Sequence, residues 1–383
     1  MRVPVMKDDD KHLQFPEPGQ RVVVAEFGET PLDAIAQHTS LEVMPAPDPA
    51  TLDPRDVVIA IRSASVGWVD LLMTSGQYQH MPKPPYCPGL EYAGVVAWKG
   101  AQVGDALALG DAVLVDGFLA GPRSLGNYQR YGGFASYAVA PVEAALRIPG
   151  GLSFDQACNL LGNYETAYHC LVTRGALQRG ETVLIHGASG ATGLAAVHIA
   201  KLLGATVIAT GRSQQKLDAV LREGADHGVL ATDAEGGIRR FSEDVKALTA
   251  GKGVDVVYDC VGGDISLESL RAVRFGARFL IVGWASTPFV ARGKGQRGAP
   301  NANVLPTNLI MMKSLDVLGC PTAISTAQDP RTRAPRLAQI LAWAGEGKLR
   351  PHVSHVFPLS EFREAMRAKW NGEVTGGCVL HPG

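Results

Sequence analysis

A glycine-rich run is the part of this chain best suited to bind an anion. Gly190 and Gly193 follow Ala188 in the spacing Ala-x-Gly-x-x-Gly, between the apolar stretches 182–186 and 194–203. Small residues at this spacing allow a tight turn, and a helix that begins there directs free N–H groups and its positive end at a negative charge. A strand, turn and helix of this kind suits a dinucleotide pyrophosphate. The residues expected to contact it are Ser189, Gly190, Ala191, Thr192 and Gly193.

The residues after the next predicted strand, 206–210, indicate which dinucleotide binds. NAD-binding proteins usually place Asp or Glu there, which accepts a hydrogen bond from the ribose 2′-hydroxyl. Here the position is Gly211, followed by Arg212, Ser213 and Lys216. A guanidinium, a hydroxyl and an ammonium can bind a 2′-phosphate, and no carboxylate repels it. The sequence therefore predicts NADPH as the cofactor, with a solvated basic turn as the alternative.

Strands and helices alternate from residue 154 to residue 320, which predicts a parallel, doubly wound α/β domain around this site. The six predicted strands lie at 182–186, 206–210, 228–231, 254–259, 278–282 and 315–318, and a helix predicted over 164–175 precedes the first of them. Ligands lie beyond the carboxyl ends of the strands in such domains. We therefore expect Val261, Gly283 and Trp284, which follow the fourth and fifth strands, to border the cofactor.

The rest of the chain predicts a second domain built from two separate segments. Residues 21–153 contain short β-rich runs, at 22–24, 56–61, 94–96, 111–115 and 137–140, between many prolines and glycines, which is typical of a small, mainly antiparallel β domain. Within it, the stretch 118–133 is predicted to be an exposed loop. Residues 1–20 are predicted to be a tail, since they combine a charged run with several prolines. Residues 321–383 return to the first domain, with helices at 334–345 and 360–370 and a last strand at 378–380.

Composition excludes several classes of function. The chain has 383 residues, of which 46% are hydrophobic and 19% charged, and its net charge is −1, which is not typical of a nucleic-acid-binding protein. The most apolar stretch, 193–211, is interrupted by His198 and Lys201, so we expect no membrane span. Six cysteines occur singly, without a CxxC pair. This pattern argues against a disulfide framework or a zinc ribbon and favours a cytoplasmic protein.

Three motifs in the first domain make the chain resemble the medium-chain dehydrogenase/reductase family. They are Ser65-Val66-Gly67-Trp68-Val69-Asp70, Ser75-Gly76-Gln77-Tyr78 and Pro88-Gly89-Leu90-Glu91-Tyr92-Ala93-Gly94. With the glycine-rich run and the later Pro306-x-Asn308-Leu309-x-x-x-Lys313, they look like the zinc-independent quinone oxidoreductase branch. The resemblance implies a GroES-like, mainly β substrate domain, a Rossmann nucleotide domain and a homodimer joined near residues 315–319.

The resemblance also implies that the protein binds no metal. Zinc-dependent relatives carry a cysteine at the position of Gly67 and a histidine at the position of Leu90, and neither side chain present here can bind zinc. The segment 116–132, where those relatives have a four-cysteine zinc loop, contains no cysteine. Without a metal Lewis acid, a conjugated carbonyl that accepts hydride at carbon is an easier substrate than a ketone. A quinone or an α,β-unsaturated carbonyl is therefore the expected acceptor.

Tyr78 is the expected proton donor. It matches a tyrosine that has a proton-donating or substrate-positioning role in the enoyl-thioester reductases that the chain resembles, and a phenol can donate to a developing enolate. The alternative is a tyrosine that only lines the cleft, with water as the acid. The resemblance also places Thr166 beside the nicotinamide and Asn308 near the cofactor, and gives Asp70 and Glu91 structural hydrogen-bonding or ion-pair roles. The other expected substrate-pocket residues are Gly67, Trp68, Leu90 and Asn163.

Two departures from the branch leave other readings open. Its quinone reductases usually carry Asn at the Gly67 position and Tyr near Ala231, and both are missing here, so Trp68 and Arg212 are candidates to replace them. An enoyl- or acryloyl-thioester (CoA) reductase is an alternative, favoured if the basic segment 291–298 is a lid instead of a solvated loop. A non-catalytic NADPH-binding or sensor protein is the alternative from another class.

Overall fold

The computed structural model describes residues 19–78, 82–124, 126–286 and 303–383. The strands within these ranges are β1 Gly19–Val24, β2 Thr39–Met44, β3 Asp56–Ser65, β4 Glu91–Lys99, β5 Ala112–Val115, β6 Tyr137–Pro141, β7 Ala145–Arg147, β8 Thr182–Ile185, β9 Thr206–Gly211, β10 His227–Leu230, β11 Val254–Asp259, β12 Val273–Ile281, β13 Asp316–Gly319, β14 Val353–Pro358 and β15 Gly377–His381. The α-helices are α1 Pro31–Gln37, α2 Trp68–Thr74, α3 Phe154–Ala157, α4 Leu161–Tyr168, α5 Ala191–Leu202, α6 Gln214–Arg222, α7 Phe241–Leu248, α8 Asp264–Ala272, α9 Thr307–Met312, α10 Thr322–Gln328, α11 Arg333–Gly345 and α12 Phe362–Trp370.

The nucleotide domain has the predicted parallel sheet. Its six strands lie in the order β10-β9-β8-β11-β12-β13, and every neighbouring pair is parallel. The chain order reverses between β8 and β11, so the carboxyl ends of these two strands border the crevice in which such sheets bind ligands. The glycine-rich run begins at the end of β8, so the fold places it at this crevice.

The first domain is the predicted antiparallel β structure, with three strands that the sequence analysis did not find. Its main sheet has the order β14-β15-β3-β4-β5-β7, with β6 also paired to β3. Every residue of β3 except Arg62 is buried, which explains the strong β-branched signal there. The missed strands β2, β7 and β14 are short or half exposed, so their sequences lack that signal.

The C-terminal segment packs in the cores of both domains. β15 runs antiparallel to β3 and parallel to β14, which returns the chain to the first domain. Phe362 and Met366 of α12 belong to the core of that domain. In contrast, Ile340 and Ala344 of α11 belong to the core around the six-stranded sheet. The chain therefore crosses between the domains once more between α11 and α12.

Two local predictions were only partly right. The stretch 118–133 is a loop between β5 and β6, as predicted, and residues such as Leu119 and Asn127 are exposed. Other parts of it are packed, because Ala120 and Ser124 are buried and the Phe118 ring lies 4.2 Å from the Arg123 guanidinium and 4.4 Å from that of Arg333. The helix predicted over 164–175 begins earlier, at α4, and continues after Tyr168 as the π-helix His169–Arg174. The predicted tail, apart from its last two residues, and the basic segment 291–298 lie outside the described residues.

Candidate active site

The turn between β8 and α5 leaves an open approach to the helix N-terminus. A Cβ on Gly193 would lie 2.2 Å from the carbonyl oxygen of Gly187, so only glycine lets the helix pack this closely on the strand end. Gly190 is the N-cap residue, and no side chain caps the helix there. A Cβ on Gly190 would meet one atom within 4 Å, the oxygen of Gly187 at 3.3 Å, so space remains in front of the turn. This arrangement fits a dinucleotide pyrophosphate.

A chain of side-chain hydrogen bonds connects the first domain to this turn. Ser65 Oγ, at the end of β3, donates to Asn159 Oδ1 over 2.8 Å. Asn163 Nδ2 donates to the Asn159 carbonyl oxygen over 3.0 Å, and Thr192 Oγ1 donates to Asn163 Oδ1 over 3.0 Å. The nitrogen of the Asn163 amide is therefore bound to the Asn159 backbone, and its oxygen is bound to Thr192 in the first turn of α5. The sequence analysis named Ser65 only as part of a motif and gave no site role to Ser65 or Asn159, and no local signal marks Asn159.

Helix α4 lies beside the turn and carries Thr166. The Thr166 hydroxyl donates to the Gly162 carbonyl oxygen over 2.7 Å, and the Gly162 N–H donates to Glu91 Oε1 over 2.5 Å. Burial raises the pKa of Glu91 to about 7, against the lowering effects of the Gly162 amide and the Arg123 guanidinium. Glu91 therefore has the hydrogen-bonding role predicted for it and joins β4 to α4.

Asp70 joins two turns of the first domain, as predicted for a structural carboxylate. Its Oδ2 accepts from Gly67 N over 2.9 Å, and its Oδ1 accepts from Gly89 N over 3.1 Å and Leu90 N over 3.0 Å. Burial raises the pKa of Asp70 to about 6, although these three amides and Arg123 lower it. The carboxylate thus brings Gly67 and Leu90, which are 23 positions apart in the sequence, to one corner.

An apolar cluster adjoins this corner. Leu90 is buried with Val24, Met73 and Tyr86, and Tyr78 packs against the same cluster. The structure therefore brings together two of the predicted substrate-pocket residues, Tyr78 and Leu90.

Trp68 lies at the start of α2 and faces the core of the first domain. Its ring is stacked on that of Trp370 from α12, with centroids 5.0 Å apart and planes 2° from parallel. It packs against the buried residues of that core. This contact joins α2 to the returning segment.

The turns after β11 and β12 lie together. Ser286 N donates to the Val261 carbonyl oxygen over 2.8 Å, and Gly283 N donates to the Asp259 carbonyl oxygen over 3.2 Å. A Cβ on the intervening Gly262 would lie 3.1 Å from the Trp284 Cα. Val261, Gly283 and Trp284 therefore form one edge of the crevice.

Asn308 is exposed on α9, whereas a different amide reaches the turn after β11. Asn303 Oδ1 accepts a hydrogen bond from Gly263 N over 3.1 Å. The sequence analysis did not identify Asn303, because it lies outside the motif that drew attention to Asn308.

The basic turn after β9 faces the segment 372–376, here termed the strap, which connects α12 to β15. Arg212 is exposed and Ser213 is the N-cap residue of α6. Lys216 Nζ donates to the carbonyl oxygens of Gly372 and Val374 in the strap. The strap was not predicted to be part of the site.

Within the described ranges, no three His, Cys, Asp or Glu side chains lie close enough together to hold a metal ion. In the same part of the chain, no helix is sufficiently long and apolar to cross a bilayer.

Comparison with known proteins identifies the family. Residues 53–150 match the alcohol dehydrogenase GroES-like domain, and residues 191–333 match the zinc-binding dehydrogenase family. Quinone oxidoreductase-like protein 2 of cattle (Bos taurus) is 31% identical over 340 residues, which cover 88% of this chain and 87% of that protein. The chain belongs to the medium-chain dehydrogenase/reductase family, in its quinone oxidoreductase branch.

Other relatives agree with this assignment. Human quinone oxidoreductase is 28% identical over 85% of this chain and 90% of its own length. A solved structure of a probable oxidoreductase from Mycobacterium abscessus, 27% identical, superposes with a TM-score of 0.74 over 96% of this chain and 100% of that chain. The two domains described above are therefore the GroES-like and Rossmann domains of an oxidoreductase.

Proposed function

We propose that this family member is a reductase that transfers hydride from NADPH to a quinone or an α,β-unsaturated carbonyl without zinc. The observation that carries the proposal is the corner formed by Gly67, Asp70 and Leu90. The Asp70 carboxylate of this corner accepts hydrogen bonds from three backbone amides, and the side chains of Gly67 and Leu90 have no atom that could bind a metal. The apolar cluster beside it, with Tyr78 and Leu90, suits a flat, weakly polar acceptor.

The residues around the glycine-rich turn fit a nicotinamide dinucleotide. The uncapped N-terminus of α5 offers N–H groups to the pyrophosphate, and Thr192 is held in place by Asn163. Arg212 and Lys216, with no carboxylate at Gly211, support a 2′-phosphate and hence NADPH. When bound, the reduced nicotinamide supplies the hydride, and the protein orients it beside Thr166 and excludes water from the crevice.

A panel of acceptors tests the proposed reaction. Purified protein is mixed with NADPH or NADH and with quinones, enones and enoyl-CoA esters, and cofactor oxidation is followed by absorbance. We expect oxidation of NADPH by quinones or enones and a lower kcat/KM with NADH. If NADPH binds but no acceptor is reduced, the protein is a binding protein and the proposed reaction is wrong.

Tyr78 is proposed as the proton donor to the reduced acceptor. Tyr78→Phe removes the hydroxyl and keeps the ring that packs on the apolar cluster, so we expect kcat for an enone to fall about 100-fold while NADPH affinity stays the same. Tyr168→Phe is the matched control, because Tyr168 packs on Trp343 in the other domain. An unchanged kcat for Tyr78→Phe would assign the proton to water.

An acyl thioester is the second candidate acceptor. A segment of a mycocerosic acid synthase-like polyketide synthase from Mycobacterium tuberculosis is 28% identical over 85% of this chain, which corresponds to 14% of that protein. This likeness supports including enoyl-CoA esters in the panel. A kcat/KM for an enoyl-CoA ester at least tenfold above that of every quinone and enone would establish the thioester as the substrate class.

A homodimer in the cytoplasm is the proposed state of the protein. β13 is an edge strand that pairs only with β12 among the described strands, and its residues are exposed or half-buried, so a second copy could pair with it. The six cysteines are free, as expected in a reducing compartment. Light scattering coupled to gel filtration distinguishes a dimer of about twice 40.5 kDa from a monomer.

A further inference from the structure

The strap is fixed directly to the glycine-rich turn. Gly376 N donates to the Ser189 carbonyl oxygen over 2.8 Å, and on the other side Gly377 N donates to the His352 carbonyl oxygen over 2.7 Å. Gly376 has a φ of +69°, and a Cβ there would lie 2.4 Å from the His352 oxygen, so no side chain fits. The C-terminal segment therefore contributes a rigid wall beside the turn proposed to bind the pyrophosphate.

Three cations converge on this strap from different elements. Lys369 Nζ, from the last turn of α12, donates to the Gly376 carbonyl oxygen over 3.1 Å. Lys216 Nζ, from α6, donates to the Val374 carbonyl oxygen over 3.2 Å. An Arg212 Nη2 atom lies 2.9 Å from the position that a Cβ on Gly372 would take, so this guanidinium is also at the strap. Of the three, Lys369 is the one that the sequence did not indicate.

The positive charge of this cluster is not balanced within the described structure. None of the three cations forms an ion pair with a described carboxylate, and the acids that act on them, Glu373 and Asp70, do so only at longer range. Burial lowers the pKa of Lys216, and Arg212 lowers it further. Burial also lowers the pKa of Lys369, and Lys216 adds to that effect. Half-buried like charges repel one another, so a bound anion would stabilise the cluster.

The position of each cation along the strap indicates which anion it meets. Lys369 is bound to Gly376, the residue that is hydrogen-bonded to Ser189 in the turn, so its ammonium lies at the pyrophosphate end. Arg212 is at Gly372, four residues earlier, which is up to about 13 Å away along an extended chain. This end is the one nearest the ribose position after β9.

We propose that Lys369 is a further cofactor-binding residue, whose ammonium binds the dinucleotide pyrophosphate from the strap side, opposite the N-terminus of α5. The proposal rests on the proposed function only in that a nicotinamide dinucleotide binds at the glycine-rich turn. It assigns the pyrophosphate and the 2′-phosphate of NADPH to different cations. Lys369 binds the group that NADPH and NADH share, and Arg212 binds the 2′-phosphate that only NADPH carries.

Two cofactor fragments test this assignment by calorimetric titration. ADP-ribose carries the pyrophosphate without a 2′-phosphate, and 2′-AMP carries the 2′-phosphate without a pyrophosphate. Lys369→Met should weaken binding of ADP-ribose, NADH and NADPH about tenfold each and leave binding of 2′-AMP unchanged, because Met keeps the apolar stem and loses the charge. Arg212→Ala should do the reverse, with weaker binding of 2′-AMP and NADPH only.

Matched variants separate charge from structure. Lys369→Arg keeps the charge and should bind ADP-ribose within about threefold of wild type. Lys348→Met removes an exposed lysine that is paired with Glu346, and should leave all four affinities unchanged. Lys369→Gln is a second neutral variant, and circular dichroism confirms that each variant is folded.

The inference is overturned if folded Lys369→Met and Lys369→Gln bind ADP-ribose as wild type does, or if they lose 2′-AMP instead. It is also overturned, together with the proposed function, if the wild type binds neither dinucleotide. If the wild type binds NADPH but reduces no acceptor, only the proposed reaction fails. The ADP-ribose titration then decides the role of Lys369 by itself.

Discussion

The protein contains two clusters of positive charge that differ in whether the chain supplies the matching negative charge. In the first, Arg333 binds both Asp116 and Glu165, over 2.5 and 2.7 Å, and Arg336 binds Glu165 over 3.0 Å. In the second, the strap cluster of Arg212, Lys216 and Lys369, both lysines donate to backbone carbonyls and Arg212 lies beside Gly372. None of these three cations has a carboxylate partner in the described ranges. The first cluster is paired within the folded chain, whereas the second is proposed to take its anion from the cofactor.

The location of each cluster agrees with this difference. The paired cluster is buried between the end of β5, helix α4 and helix α11, where it joins the two domains. The strap cluster lies at the crevice, where Arg212 is exposed and Lys369 is half buried. Unpaired charge is tolerated where solvent or a ligand can reach it, and buried charge is stable only when paired. Pairing therefore distinguishes the structural cluster from the cluster that we propose binds the cofactor.

The largest expected effect comes from breaking the paired cluster. Glu165→Gln keeps the shape of the side chain but leaves Arg336 and part of Arg333 buried without a carboxylate, so we expect the free energy of unfolding to fall by about 3–5 kcal/mol. Urea unfolding measures this change. Arg331→Ala removes an exposed ion pair with Asp329 in the neighbouring turn and should have no measurable effect. Equal stability of Glu165→Gln and wild type would show that the cluster is not structural.

Removing a charge from the strap cluster should have a smaller effect, and it should change cofactor binding instead of stability. Arg212→Ala should raise the Kd for NADPH about 10- to 100-fold and leave the Kd for NADH unchanged, because only the 2′-phosphate loses its partner. The NADPH affinity of wild type should also fall with salt more steeply than that of the variant. If Arg212→Ala lost as much stability as Glu165→Gln and left the ratio of the Kd for NADPH to the Kd for NADH unchanged, the distinction between the two clusters would be wrong.

The smallest effect concerns Glu91, a carboxyl held mainly by an amide. Its pKa in the folded protein, about 7, lies above the ordinary value of 4.5, so the stability that its neutral form contributes is fully present below pH 4.5 and is lost as the pH rises through 7. Glu91→Gln stays neutral. Wild type should therefore lose on the order of 1 kcal/mol of stability relative to the variant between pH 5 and pH 8.

Urea unfolding of both proteins at several pH values measures the Glu91 effect. Asp70, whose pKa burial also raises, is present in both proteins and contributes to both profiles, and its charge adds to the raised pKa of Glu91 in the wild type. Glu143→Gln is the control, because the hydrogen bond from Arg55 lowers the pKa of Glu143 and the sign is reversed. Parallel pH profiles for wild type and Glu91→Gln would contradict the raised pKa.

The local features of the fold could be predicted because their causes are local. The six parallel strands contain short apolar runs, and the turn before α5 needs glycines wherever the backbone is crowded, as at Gly193. The hydrogen-bonding role of Asp70 followed from the resemblance of its motif and was confirmed. By contrast, the burial of parts of the stretch 118–133 was missed, because it depends on Arg333, more than 200 residues later.

The sequence by itself determined the alternation of strands and helices, the glycine-rich turn and the types of side chain near it, since periodicity and backbone crowding act over a few residues. Only the tertiary structure decided which of these residues meet. Lys216 contacts a carbonyl 156 positions away, and the path from Ser65 to Thr192 passes through Asn159, which no local pattern distinguishes. The physical reason is that the C-terminal segment must fold back across both domains before the strap and Lys369 reach the turn.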